Sequence, residues 1–201
     1  LIYFSGHGYQ VKSSIGDSYY LMPFGYNIER LKDTAISGTE FAEKRKAIKA
    51  QKLLLLLDCC HAGGMVELKA PGLQFAKAPL PPEAQSLLAQ VRGRVIIASS
   101  RENELSWGGK PYSAFTLALI EAFSGLGASK QDGFVRAADL AMYAREKVPA
   151  RTKGTQHPIL HFEEADNFVL AYYSGGEAEP KGLPFDQEPE IEPEPGARSR
   201  G

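Results

Sequence analysis

The stretch Leu53-Leu54-Leu55-Leu56-Leu57-Asp58-Cys59-Cys60-His61-Ala62-Gly63-Gly64 decides how the rest of the chain is read. Five consecutive leucines are followed by an acid, two thiols, an imidazole and two glycines. The apolar run is short, Lys52 precedes it and glycines close it, so it reads as a buried strand that stops at a reactive loop. Open α/β sheets place their ligand sites at the carboxyl ends of such strands.

A second segment repeats this design. Leu1-Ile2-Tyr3-Phe4-Ser5-Gly6-His7-Gly8 is an apolar strand that ends in small residues around one imidazole. Two such strands, if neighbours in a parallel sheet, bring His7 and Cys60 together. A histidine at hydrogen-bond distance is the usual means of generating a thiolate nucleophile. The bland alternative for Cys60 is a buried apolar thiol. Cys59 points to the opposite face of the strand and reads as packing. A zinc site built from His7, Cys59, Cys60 and His61 is disfavoured, because structural zinc sites separate their thiols with a spacer.

The remaining chain alternates strands with helices. Strands are expected at 19–22, 94–100 and 167–173, and a turn at Gly16-Asp17-Ser18. Ser37 is placed to cap a helix over 41–50, with Phe41, Ala42 and Ile48 inward and Lys44, Arg45, Lys46 and Lys49 on a solvated face. Further helices are expected at 83–91, 112–124 and 136–148, the last ended by Pro149. Residues 65–82 read as a long loop. Trp107 is either one wall of a cleft or a packed aromatic, Glu102 and Glu104 read as exposed loop acids, and His157 and His161 as surface or packing residues. This alternation predicts an α/β sandwich with a largely parallel sheet.

With 201 residues, 43% of them hydrophobic, the chain has enough for one substantial core: a domain over 1–173, then an acidic Pro/Glu-rich tail over 174–201. That tail is expected to be disordered, because it buries too little apolar area to offset its ordering entropy. A formal net charge of -1 offers no field for nucleic acid or an anionic membrane, and no stretch approaches a membrane span. Two adjacent cysteines make no disulfide framework, so a reducing, cytoplasmic compartment is expected.

His7 lies roughly fifty residues upstream of Cys60, an order and spacing already known for caspases. Tyr3-Phe4-Ser5-Gly6-His7-Gly8 resembles the histidine motif of caspase-like cysteine peptidases, and Asp58-Cys59-Cys60-His61-Ala62-Gly63 resembles the metacaspase form of the cysteine motif. Residues 94–107 and 155–173 are similar to the later part of bacterial caspase-family proteins. The resemblance implies a caspase-like three-layer sandwich with a mainly parallel central sheet. It also implies a cysteine endopeptidase with His7 and Cys60 as catalytic dyad, and an oxyanion hole from the backbone N–H groups of Gly8 and Cys60. Asp58 and Ser5 would line a pocket for a substrate Arg or Lys. The partner is then a protein or peptide with a basic residue at the cleavage site, and no cofactor or metal is implied. Calcium-dependent metacaspases carry several acids after the histidine motif, where this chain has only Asp17, Glu29 and Asp33. The family's first strand and helix have no counterpart before Leu1, so the chain is expected to be a piece lacking that amino-terminal part. Lys69 and Lys77 in the 65–82 loop are the expected sites of any self-processing. The alternative function is a caspase-like signalling or interaction module that does not cleave.

Overall fold

The computed structural model describes residues 1–11, 18–60, 93–101, 104, 106–163, 165–172, 183, 185 and 189–193. Its centre is a six-stranded sheet in the order β3-β2-β1-β4-β5-β8, built from β1 (Ile2–Val11), β2 (Ser18–Met22), β3 (Ile36–Ser37), β4 (Leu53–Cys60), β5 (Arg94–Ala98) and β8 (Ile159–Glu163). The middle pairs, β1 with β4 and β4 with β5, are parallel. The flanking pairs are antiparallel, so the parallel character is concentrated where the leucine strand lies.

The leucine run is explained by burial on both faces, as expected of a central parallel strand. Leu54 and Leu56 face α3 (Ala114–Phe123) and α4 (Ala137–Arg151), joining Phe115, Ala118, Leu140, Ala141 and Ala144 in one core. Leu55 and Leu57 face the other way, into a second core with Leu21, Ile96 and Phe41 of α2 (Gly38–Lys46). Helices on both faces of the sheet give the three layers. The short α1 (Leu31–Thr34) sits beside a third cluster under β1 and β2 that holds Tyr9, Tyr20 and Met22.

The α2 helix departs from expectation at two points. Ser37 caps it as expected, its Oγ accepting from Glu40 N at 3.1 Å, but the helix ends at Lys46 rather than near residue 50. Arg94 on β5 caps the end: its guanidinium donates to Arg45 O at 3.2 Å, which also accepts from Ile48 N at 3.1 Å, and to Ile48 O at 3.0 Å just past the helix. A cation at this end also complements the helix dipole. Lys44, Lys46 and Lys49 are exposed, yet Arg45 is buried, one turn from Ala42 on the inward face. Desolvation first, and the Arg94 charge second, pull the Arg45 pKa down to about 10.

Pro149 does not end α4. The helix runs on to Arg151, whose guanidinium makes a two-pronged bridge to Glu121 of α3 at 2.7 and 2.5 Å. That bridge, with Thr152 N closing onto Val148 O at 3.0 Å, holds the last turn against the helix-breaking tendency of proline. The expected strand over 167–173 appears as β9 (Val169–Tyr172), but it pairs with β7 (Phe134–Arg136) away from the central sheet. The edge strand β8, beside β5, was hidden in the sequence by its mixed residues around His161.

Two further strands, β6 (Trp107–Lys110) and β10 (Glu190–Pro193), pair with each other. The disorder expected from residue 174 onward therefore does not extend to Glu190–Pro193. The expected turn at 16–18 (except Ser18), the loop at 65–82, the helix at 83–91, His61 and Glu102 lie outside the described residues.

Replacing Arg94 by methionine removes the donors to the buried Arg45 carbonyl and the part-buried Ile48 carbonyl at the end of α2. The Arg94→Met chain should lose about 1–3 kcal/mol of stability, read as a lower urea midpoint at unchanged slope. An unchanged midpoint would show that the contact is incidental.

Candidate active site

Register decides what meets at the carboxyl end of the sheet. β1 and β4 run side by side with Ser5 opposite Asp58, Gly6 opposite Cys59 and His7 opposite Cys60. The two residues singled out for nucleophilic chemistry are thus direct neighbours across one parallel ladder, fifty-three positions apart in sequence. On the other side of β4 the ladder with β5 ends at Leu57 opposite Ala98. Asp58, Cys59 and Cys60 therefore run on past the end of β5.

His7 is half-buried and also faces Met22 across the antiparallel ladder with β2. Gly8 is buried in the same ladder, opposite Leu21, and Ser5 is exposed. Cys59 is 4% exposed and packs among Leu55, Leu57, Ile96 and Ala98, which makes it a core thiol.

Asp58 has 0% exposure. Its Oδ2 accepts from Ser113 Oγ at 2.5 Å and from Thr116 Oγ1 at 2.6 Å. Ser113 is also the N-cap of α3, its Oγ accepting from Thr116 N at 3.0 Å. The carboxylate thus lies at the amino end of a helix, where the dipole and the orphan donors favour negative charge. Tyr3 on β1 reaches the same cluster, 2.7 Å from Thr116 Oγ1. Because the single hydroxyl proton of Thr116 goes to Asp58, the Tyr3 hydroxyl is the donor in that pair. The sequence reading missed Ser113 and Thr116, although a serine just before an apolar-periodic helix is a capping signal.

A second network fixes the chain that leaves β5. Ser99 Oγ lies 2.8 Å from Ser106 Oγ, and fully buried Gln156 donates from Nε2 to Ser99 O at 2.9 Å while its Oε1 accepts from Trp107 N at 2.8 Å. Trp107 is the packed aromatic of the two readings: its ring joins the helix-side core and its Nε1 donates to Thr155 Oγ1 at 2.9 Å. Nothing in the sequence distinguishes Gln156 from a surface glutamine. Glu104 is not a free loop acid, since it accepts from His157 N at 2.6 Å, meets His157 Nδ1 at 2.7 Å and bridges to Arg101 at 3.6 Å. His157 is accordingly a tether for this loop.

The sequence profile of the caspase domain, peptidase family C14, matches residues 1–169. The chain belongs to the caspase-domain family. A search of curated proteins gave no match. The match spans every strand of the central sheet and the Asp58–Ser113–Thr116 cluster, so the site described above sits within the caspase domain. Among the described residues, no group of three or more His, Cys, Asp or Glu side chains forms a metal site, and no helix is long and apolar enough to cross a membrane.

The shared Thr116 hydroxyl makes Tyr3 and Thr116 energetically dependent on each other. A double-mutant cycle of Tyr3→Phe and Thr116→Val, followed by urea denaturation, should give a coupling of about 0.5–3 kcal/mol. Strict additivity would contradict the chain of hydroxyls running to Asp58.

Proposed function

We propose that this caspase domain is a cysteine endopeptidase that cleaves proteins after Arg or Lys, with Cys60 as nucleophile and His7 as general base and acid. The observation that carries this reading is the register placing His7 opposite Cys60. His7 takes the thiol proton, and the Cys60 sulfur attacks the scissile carbonyl carbon. The backbone N–H groups of Gly8 and Cys60 serve as donors to the oxyanion that develops. Collapse breaks the C–N bond, and His7 returns the proton to the leaving amine. Water, activated by the neutral imidazole, then hydrolyses the thioester, releasing the carboxylic acid and restoring the thiol.

Charge supports the preference for basic substrates. Asp58 is two residues from Cys60, and its described partners at Oδ2 are hydroxyls, which stabilise a carboxylate without cancelling its charge. So close to the nucleophile, that negative charge favours a substrate guanidinium or ammonium over a substrate carboxylate. Ser5, opposite Asp58 on β1 and exposed, is the accompanying polar contact for the same side chain. The resemblance to metacaspases at 58–63 and the adjacent, disulfide-poor thiols support a reducing, cytoplasmic setting. The cysteine–histidine chemistry itself needs no cofactor.

The test is a panel of peptides alike except for Arg, Lys or Asp before the scissile bond. The Arg and Lys peptides should be cleaved, with kcat/KM at least about 100-fold above that for Asp, and Cys60→Ala should abolish cleavage. Equal cleavage of the Asp and Arg peptides would contradict the specificity. Activity surviving Cys60→Ala would contradict the mechanism, and binding without cleavage by the intact chain would favour a non-catalytic module.

A further inference from the structure

The strand β6 stands outside the central sheet, yet both of its ends are tied to the candidate site. Just before it, Ser106 bonds to Ser99 and Ser100 at the carboxyl end of β5, and Trp107 N is held by Gln156. Three residues after it, Ser113 donates to Asp58. The chain carrying the β6 edge is therefore joined through Ser113 to Asp58 at the end of β4. Recognition of an extended chain at a strand edge uses main-chain hydrogen bonds for affinity and leaves side chains to select.

Glu190–Pro193 from the acidic tail is the strand that pairs with it. The pairing is antiparallel, Glu190 opposite Lys110, Ile191 opposite Gly109, Glu192 opposite Gly108 and Pro193 opposite Trp107. Ile191 anchors it by packing against the helix-side core, and Phe185 meets the Tyr112 ring at 5.9 Å. Gly109 permits the close approach: a Cβ there would lie 2.7 Å from Glu190 O and 2.2 Å from Tyr112 O. Glu190 and Glu192 are exposed, and residues 183–193 contain no Lys or Arg.

We propose that the acidic segment Glu190–Pro193 is an intramolecular inhibitor, holding the β6 edge against extended peptides that would otherwise dock beside Asp58. The segment supplies the main-chain pairing of a bound peptide but no basic side chain, so it occupies the edge without being a substrate. The inhibition rests on the peptidase reading above, whereas the competition for β6 does not. A tail docked about nine-tenths of the time weakens the apparent affinity of a competing peptide about tenfold.

The experiment uses the full chain in a Cys60→Ala background and a fluorescein-labelled extended peptide containing one Arg, followed by fluorescence anisotropy. Ile191→Asp removes the apolar anchor and should tighten peptide binding about tenfold, with faster amide exchange at Gly108 and Lys110, whose N–H groups face the tail strand. Ile191→Ala only shortens the anchor, keeps the fold safer and should give an intermediate shift. A synthetic peptide spanning residues 183–195 should compete with the labelled peptide on the Ile191→Asp chain. Unchanged affinity despite faster exchange at Gly108 and Lys110, or failure of the tail peptide to compete, would overturn the proposal. Cleavage by the chain with Cys60 intact is read separately. Its absence would refute the peptidase reading, while the binding comparison still decides whether tail and peptide share one edge.

Discussion

The parallel register between β1 and β4 is the constraint on which the rest depends. Side chains alternate along a strand, so slipping this pairing by one residue would set His7 opposite Cys59, a thiol packed into the core behind the sheet. The register is fixed by burial. Leu54 and Leu56 fill one core and Leu55 and Leu57 the other, and each of these side chains has at most 2% exposure. Exchanging the two faces would misplace all four at once. Losing even one such side chain to alanine typically costs about 2–5 kcal/mol. The apolar strand is thus the ruler that sets His7 and Cys60 side by side.

Asp58 shows how the same strand carries a charge into the interior. Burying an isolated carboxylate costs several kcal/mol, and the fold offsets this with two short hydroxyl bonds and the amino end of α3. Hydrogen bonds to a charged group contribute about 1.5–3 kcal/mol each. Ser113 serves twice, capping the helix and holding the carboxylate, so the position of α3 and the orientation of Asp58 are set by one side chain. The chain leading to Ser113 is β6, whose start is clamped by Gln156. Tail, clamp, cap and carboxylate therefore form one continuous line of contacts from the acidic terminus to the strand end.

Much of this was legible in the sequence where hydrophobic pattern and capping chemistry act locally. The leucine strand, the Ser37 cap and the helices over α3 and α4 follow from short-range rules. What was hidden depends on partners distant in sequence. Arg45 reads as one of four surface cations until Arg94, forty-nine residues away, takes its carbonyl and the inward face takes its side chain. Pro149 reads as a helix end until Arg151 is bridged to Glu121. Gln156, Ser106 and Thr116 carry no local signal, because their roles exist only once β5, β6 and α3 converge. The strand at Glu190–Pro193 was hidden for the same reason: its composition forbids a core of its own, and its order comes from a borrowed edge.

The central claim is that register turns Cys60, and not Cys59, into an activated thiol. Brief treatment of the native chain with limiting iodoacetamide, followed by peptide mass spectrometry, measures this directly. Cys60 should be alkylated at least about tenfold faster than Cys59, because reactivity follows thiolate character and access, and the advantage should shrink in His7→Ala. Equal labelling of the two cysteines, or a Cys60 rate indifferent to His7→Ala, would contradict the account.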